Sequence, residues 1–207
     1  ILLKLIWKHY NYKDTVDFYM DDFSSDPASI LQHAKKILTM EAQALLDIRE
    51  SLGQPFIDAV RALLHCQGRI ILIGIGKSGH VANKIASTLA STGSPAFFIH
   101  PAEAAHGDLG MITSQDVLLL LSNSGESSEI IALLPALKRI GVLIIAITGN
   151  TTSTLAKVAD IHLLAKIKQE ACPLGLAPTT STTLSLALGD ALAICLLQAR
   201  PVSYTHL

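Results

Sequence analysis

Two stretches of this chain put hydrogen-bond donors and a charge where a strand gives way to a helix. "GIGKSG" supplies Gly74, Gly76, Lys77, Ser78 and Gly79 directly after the aliphatic run Ile70–Ile73. "SNSGESSE" supplies Ser122, Asn123, Ser124, Gly125, Ser127, Ser128 and Glu129 directly after Val117–Leu121. A helix starting at such a turn offers unpaired backbone N–H groups and the positive end of its dipole, which together hold anions. Four hydroxyls and a glycine at one helix start exceed what capping requires, since one cap needs one hydroxyl. The chemistry this favours is capture of a phosphate by neutral donors, with Lys77 as the nearby cation.

The glycine turn satisfies G-x-G-x-x-G, yet the context of a dinucleotide site is missing. That site needs an acidic residue about 20 positions on, at the end of the second strand, for the ribose hydroxyls. Here the second strand is "AFFIH", ending at His100, and Glu103 follows only after a proline turn. A nucleoside-triphosphate loop fares no better, because the glycine it requires ahead of "GKS" is replaced by Ile71. The phosphate therefore belongs to a smaller ligand, and no nicotinamide cofactor is expected.

The elements that must carry these loops are legible from periodicity. From Pro27, the residues Ile30, Ala34, Ile37, Leu38, Ala44, Leu45 and Ile48 form one helical stripe that ends at Gly53. A second helix starts at Pro55 and stops at Gly68. Strands are expected at Ile70–Ile73, Ala96–Ile99, Val117–Leu121, Leu143–Thr148 and Ile161–Leu164, with helices over 78–92, 128–140, 152–158 and 180–199. Strands apolar throughout belong to a sheet covered on both faces. The alternation gives right-handed crossovers. The expected fold is α/β, a doubly wound five-stranded parallel sheet flanked by helices and led by two more. Its two phosphate-binding loops then share the carboxyl edge of the sheet, where open α/β sheets bind ligands.

Composition narrows the class. With 207 residues, half of them hydrophobic and 16% charged, the chain can bury one well-cored domain and hide apolar surface against a second copy. A net charge of -1 and the absence of a Lys/Arg block argue against nucleic acid or anionic membrane as a partner. Cys66, Cys172 and Cys195 form no CxxC pair and fit reduced thiols in a cytoplasmic protein. The opening "ILLKLIWKHYNYK" is too short and too interrupted by lysine to span a membrane, and no other apolar run is expected to reach that length. The first residue is not Met, so Ile1 does not read as a natural start.

The segments "GIGKSGH", "STGSPAFFIHPAEAAHGDLGMI", "SNSGESSEI", "KQEACPLGLAPTTSTT" and "GDALA", in this order, resemble the sugar isomerase (SIS) domain of bacterial arabinose-5-phosphate isomerases. The likeness runs over roughly residues 30–200. It implies interconversion of D-ribulose 5-phosphate and D-arabinose 5-phosphate, the first step toward 3-deoxy-D-manno-octulosonate (Kdo) of lipopolysaccharide. It also implies no required cofactor and a homotetramer. Moving a proton between C1 and C2 through an enediolate needs a base at carbon, an acid at oxygen and a stabiliser of charge. The resemblance places the catalytic residues at Lys77, Glu129 and Glu170, with Glu170 preferred as base. It places substrate contacts at Ser78, Gly93, Ser94, His106, Ser122, Asn123, Ser124, Gly125, Ser127, Thr179 and Thr180, and an inhibitory zinc at His100.

Departures from the family pattern lie at the ends. Residues 1–26 read as an extension without counterpart, 27–200 as the domain, and 201–207 as an unmatched tail. The family continues into a Ser-His-Pro-Gly-Gly-like segment bearing a fourth catalytic histidine, and then into two CBS modules. "ARPVSYTHL" has no such motif and His206 does not match it, so the chain as it stands is expected to bind substrate but isomerise poorly. The competing readings are an isomerase of another phosphosugar and a non-catalytic phosphosugar sensor. Such sensors carry a DNA-binding helix-turn-helix ahead of the domain, and residues 1–55 offer no compact basic unit of that kind.

Overall fold

The computed structural model describes residues 23–200. The expected extension, apart from residues 23–26, and the tail with His206 lie outside the described residues. Two helices lead, α1 (Pro27–Ser51) and α2 (Gln54–Leu64). Asp26 starts α1 by accepting the N–H groups of Ala28 and Ser29, both at 3.0 Å, while Pro27 occupies a first-turn position where no N–H is needed.

The chain then alternates through β1 (Ile70–Gly74), α3 (Gly76–Ser91), β2 (Ala96–Ile99), α4 (Pro101–Ala105) and a 3-10 turn at Asp108–Met111. It continues with β3 (Val117–Leu121), α5 (Ser128–Ile131), α6 (Leu134–Ile140), β4 (Leu143–Thr148), α7 (Thr154–Val158), β5 (Ile161–Leu164) and α8 (Thr180–Ala199). All five strands are parallel, in the order β2-β1-β3-β4-β5. The expected α/β fold is therefore what forms.

Each strand sends alternate residues to the two faces, and both faces are covered. Leu72, Leu119, Leu121 and Ile147 belong to one apolar core with residues of α2, α3 and α8. Ile73, Leu118, Leu120 and Ala146 belong to the other with residues of α4 to α7. This is why β1 and β3 are buried at every position and read as unbroken aliphatic runs. At the amino edge, the buried Asp116 carboxylate accepts the N–H groups of Arg69 and Thr113, each at 2.7 Å, pinning the starts of β1 and β3 together.

Three expectations are corrected. The helix over 128–140 is two pieces, because Pro135 has no N–H for the Ile131 carbonyl and interrupts the ladder. The "PAEAA" stretch, read as a turn, is the short helix α4. The last helix, α8, buries Leu184, Leu188, Leu192 and Leu196 and leaves Ile194 45% exposed. Contrary to the expectation for apolar runs, α8 is long and apolar enough by composition to cross a membrane, and it is the one such helix among the described residues. Packing against α1, α2 and α3 gives it the partners of a core helix.

Candidate active site

The strand order reverses direction between β1 and β3, and ligands of open α/β sheets sit beyond the carboxyl ends at such a switch point. Gly74, the last residue of β1, pairs with Leu121, the last of β3. The glycine turn and the serine loop therefore leave the sheet side by side at the same level, about 4.8 Å apart at their roots. Gly74 and Gly79 allow this turn: a Cβ on either would collide with backbone of the other's neighbourhood, at 2.7 Å from the Ser78 carbonyl and 2.8 Å from the Gly74 carbonyl respectively. Gly76 turns with φ of 57°, which favours glycine. Lys77 follows in the first turn of α3, exposed, with no hydrogen bond or ion pair among the described residues, and Ser78 is half-buried beside it.

The serine loop is internally wired. Ser122 is buried; its hydroxyl meets that of Ser127 at 2.8 Å and accepts the Gly125 N–H at 3.1 Å. Ser124 accepts the Glu126 N–H at 3.2 Å. Gly125 has φ of 68°, and a side chain there would run into Ser153. Asn123 and Ser124 are exposed at the loop tip. The hydroxyls expected to bind a phosphate are thus brought together around the start of α5. Glu129, in the first turn of α5, is exposed and accepts the Ser128 hydroxyl at 3.0 Å.

Glu170 reaches the same edge by a longer route. Helices α3 and α8 run parallel: Lys84 pairs with Asp190 at 2.5 Å, Ile85 packs under Gly189, and Arg200 reaches the Gly93 carbonyl at 2.9 Å. The start of α8 is consequently level with the start of α3, where Lys77 sits. Glu170 closes that start. Its Oε2 accepts the Thr179 N–H at 2.9 Å, the Thr179 hydroxyl at 3.1 Å and the Ser181 N–H at 3.1 Å, while Oε1 accepts the Ser181 hydroxyl. Burial works to raise the Glu170 carboxyl, but the donors from Ser181 and Thr179 outweigh it and hold the group below the usual glutamate range.

The role of Ser181 was not anticipated from sequence. The hydroxyl run "TTSTT" was the one available signal.

The remaining expected residues divide. His100 precedes α4, its Nδ1 accepting the Ala102 N–H at 3.2 Å, and His106 follows α4. Both are exposed beyond the carboxyl end of β2, next to β1. No group of three His, Cys, Asp or Glu able to hold a metal occurs among the described residues.

Thr179 is engaged by Glu170, and its hydroxyl also accepts the Ala171 N–H at 2.8 Å. Thr180 is 2% exposed, its hydroxyl without a partner, and lines a cavity of about 120 Å³ with Met40, Gln43 and Lys168. Gly93 and Ser94 are a correction. They join α3 to β2 at the amino edge, across the sheet from the loops. There Gly93 ends α3 with φ of 83°, and the buried Ser94 hydroxyl accepts the Arg200 guanidinium at 2.7 Å.

Known proteins resemble this chain in sequence and in fold. The family model described as the SIS domain matches residues 63–195. The chain is 53% identical over 182 residues to "Arabinose 5-phosphate isomerase KdsD" of Yersinia pestis, covering 87% of this chain and 56% of the relative. It is 54% identical over 169 residues to the Escherichia coli K12 protein of the same name, covering 82% of this chain and 52% of the relative. The chain thus spans about half the length of the curated relatives it matches. A solved structure of the E. coli CFT073 protein c3406, in complex with arabinose 5-phosphate, superposes with a TM-score of 0.84 at 40% identity, covering 87% of this chain and 96% of that one.

Proposed function

Because the chain belongs to the SIS-domain family, we propose that it is an aldose–ketose isomerase interconverting D-arabinose 5-phosphate and D-ribulose 5-phosphate. The observation that carries this reading is the convergence on one sheet edge of a hydroxyl-rich loop, an unpaired lysine and two carboxylates. In this reading Ser122, Ser124 and Ser127 hold the phosphate with the start of α5, and Lys77 stabilises the enediolate oxygen. An enediolate is an anion that exists only along the reaction path, and a fixed cation beside it acts where charge develops.

Glu170 is the base. A carboxylate has about four lone-pair sites. Three donors crowd Oε2, whereas Oε1 takes only the Ser181 hydroxyl and keeps a site for the substrate's C–H proton. In this reading Glu129, exposed and accepting the Ser128 hydroxyl, moves the proton between O1 and O2.

The proposal extends to the setting: a cytoplasmic homotetramer that uses no organic cofactor and neither nucleic acid nor membrane, and serves Kdo synthesis. The experiment is an isomerase assay of the full-length protein against arabinose 5-phosphate, ribose 5-phosphate, sedoheptulose 7-phosphate and a hexulose 6-phosphate. Turnover of arabinose 5-phosphate above the others is expected. Preference for another sugar moves the assignment, and binding without turnover would favour a sensor.

A further inference from the structure

The sequence of the phosphate-binding loop contains a residue that phosphate binding does not explain. Glu126 stands between Ser124 and Ser127, where a dianion would be held, and a carboxylate there repels it. The structure turns that side chain away from the loop. Its Oε1 accepts the Thr154 N–H at 2.7 Å, on the first residue of α7, a different strand–helix connection. We propose that Glu126 is a positioning residue, which acts through the Thr154 N–H to hold the serine loop in its phosphate-binding shape. This rests on reading the serine loop as a phosphate site.

Three further contacts show that the loop is shaped from its neighbour rather than by its own residues alone. The Gly125 carbonyl accepts the Leu155 N–H at 3.1 Å, and the Asn123 carbonyl accepts the Gly149 N–H at 2.9 Å. Gly125 packs so tightly on Ser153 that no side chain fits there. Glu126 is the side-chain member of this seam. Its charge is met by the Thr154 backbone N–H and hydroxyl and by Lys157 in α7, which hold the carboxyl below the usual range. The negative charge that the loop carries is thereby answered on the side away from the ligand.

Position 154 allows a clean test. Thr154 is the first helical residue of α7, where proline is tolerated, and its N–H bonds nothing but Glu126 among the described residues. Ser153, with φ -65° and ψ 157°, already has the extended conformation that a residue before proline adopts. Thr154→Pro therefore deletes both groups of this residue that meet Glu126, the N–H and the hydroxyl, and leaves the helix start in place. Glu126→Ala deletes the acceptor, and Glu126→Gln keeps an acceptor while removing the charge.

The measurement is calorimetric titration of inorganic phosphate into the full-length protein and these variants, with melting temperatures alongside. Glu126→Ala and Thr154→Pro should each weaken phosphate about five- to tenfold, the net scale of one ordinary hydrogen bond, because the lost bond acts on phosphate only through the shape of the loop. The double variant should be no weaker than either alone, and Glu126→Gln should stay within about twofold of wild type. Additive losses, an unchanged affinity in Glu126→Ala, or a wild type that binds no phosphate would each overturn the proposal. Phosphate binding with this pattern but no isomerisation of arabinose 5-phosphate would instead overturn the substrate assignment alone.

Discussion

Glu170→Gln separates catalysis from architecture, because this side chain serves both. In the folded chain the carboxylate takes four donors from Thr179 and Ser181 at the start of α8. Glutamine keeps a carbonyl for some of these donors but loses the charge that the helix dipole favours. A lost cap costs about 1 kcal/mol and the lost dipole interaction about 0.3–1 kcal/mol. For a chain of this size each kcal/mol lowers Tm by about 2–4 °C, so a fall of about 3–8 °C is expected. The pH dependence has a definite sign. The folded carboxyl titrates below its ordinary value, so its stabilisation is present above about pH 4.3 and is lost as pH falls through the folded pKa. Wild type should lose this increment on acidification and Glu170→Gln should not. The catalytic effect is larger, since a positioned base contributes about 10²–10⁴-fold. The assay is deuterium incorporation at C2 of arabinose 5-phosphate in heavy water, followed by NMR well below the variant's Tm. A cap alone would lower Tm without slowing exchange in the folded protein. Normal exchange in Glu170→Gln would refute the assignment and transfer the base to Glu129.

Lys77→Ala should keep substrate affinity within a few-fold while kcat and kcat/KM fall together, because the charge it stabilises exists only in the transition state; normal turnover would remove it from the site. Ser124→Ala should raise KM with little change in kcat, since phosphate contacts are made in ground and transition states alike, and unaltered affinity for ribulose 5-phosphate would reduce this serine to a loop cap. Along α1 the side chains of Ile30, Leu31, Ile37 and Leu38 are exposed, Leu38 by 65%, so sedimentation at micromolar concentration should show an oligomer. Leu38→Glu should shift that protein toward smaller species, and a wild-type monomer would refute the proposed assembly.

The residues that announce this fold do so for a local reason. β1 and β3 lie between two helical layers, so every position is apolar and the strands stand out as "IILIG" and "VLLLL". Pro27 after Asp26 and the hydroxyls after β3 mark helix starts by chemistry confined to a few neighbouring residues. Lys77 and the serine loop could be recognised because each lies directly behind its strand. The break at Pro135 was missed because apolar periodicity continues through it, although the backbone ladder does not.

What tertiary structure alone decided is which of these pieces meet. The strand order puts β1 beside β3 and brings two loops separated by more than forty residues to one edge. The same geometry sends Gly93 and Ser94, in one of the segments that resemble the family, to the opposite edge, since an α-to-β connection must return to where strands begin. Glu170 reads in sequence as a carboxylate in an irregular loop; only the return of α8 alongside α3 supplies Thr179 and Ser181 as its partners. Spacing along a chain encodes neighbours one turn or one pleat away, whereas partners across a sheet are chosen by how apolar faces are buried together.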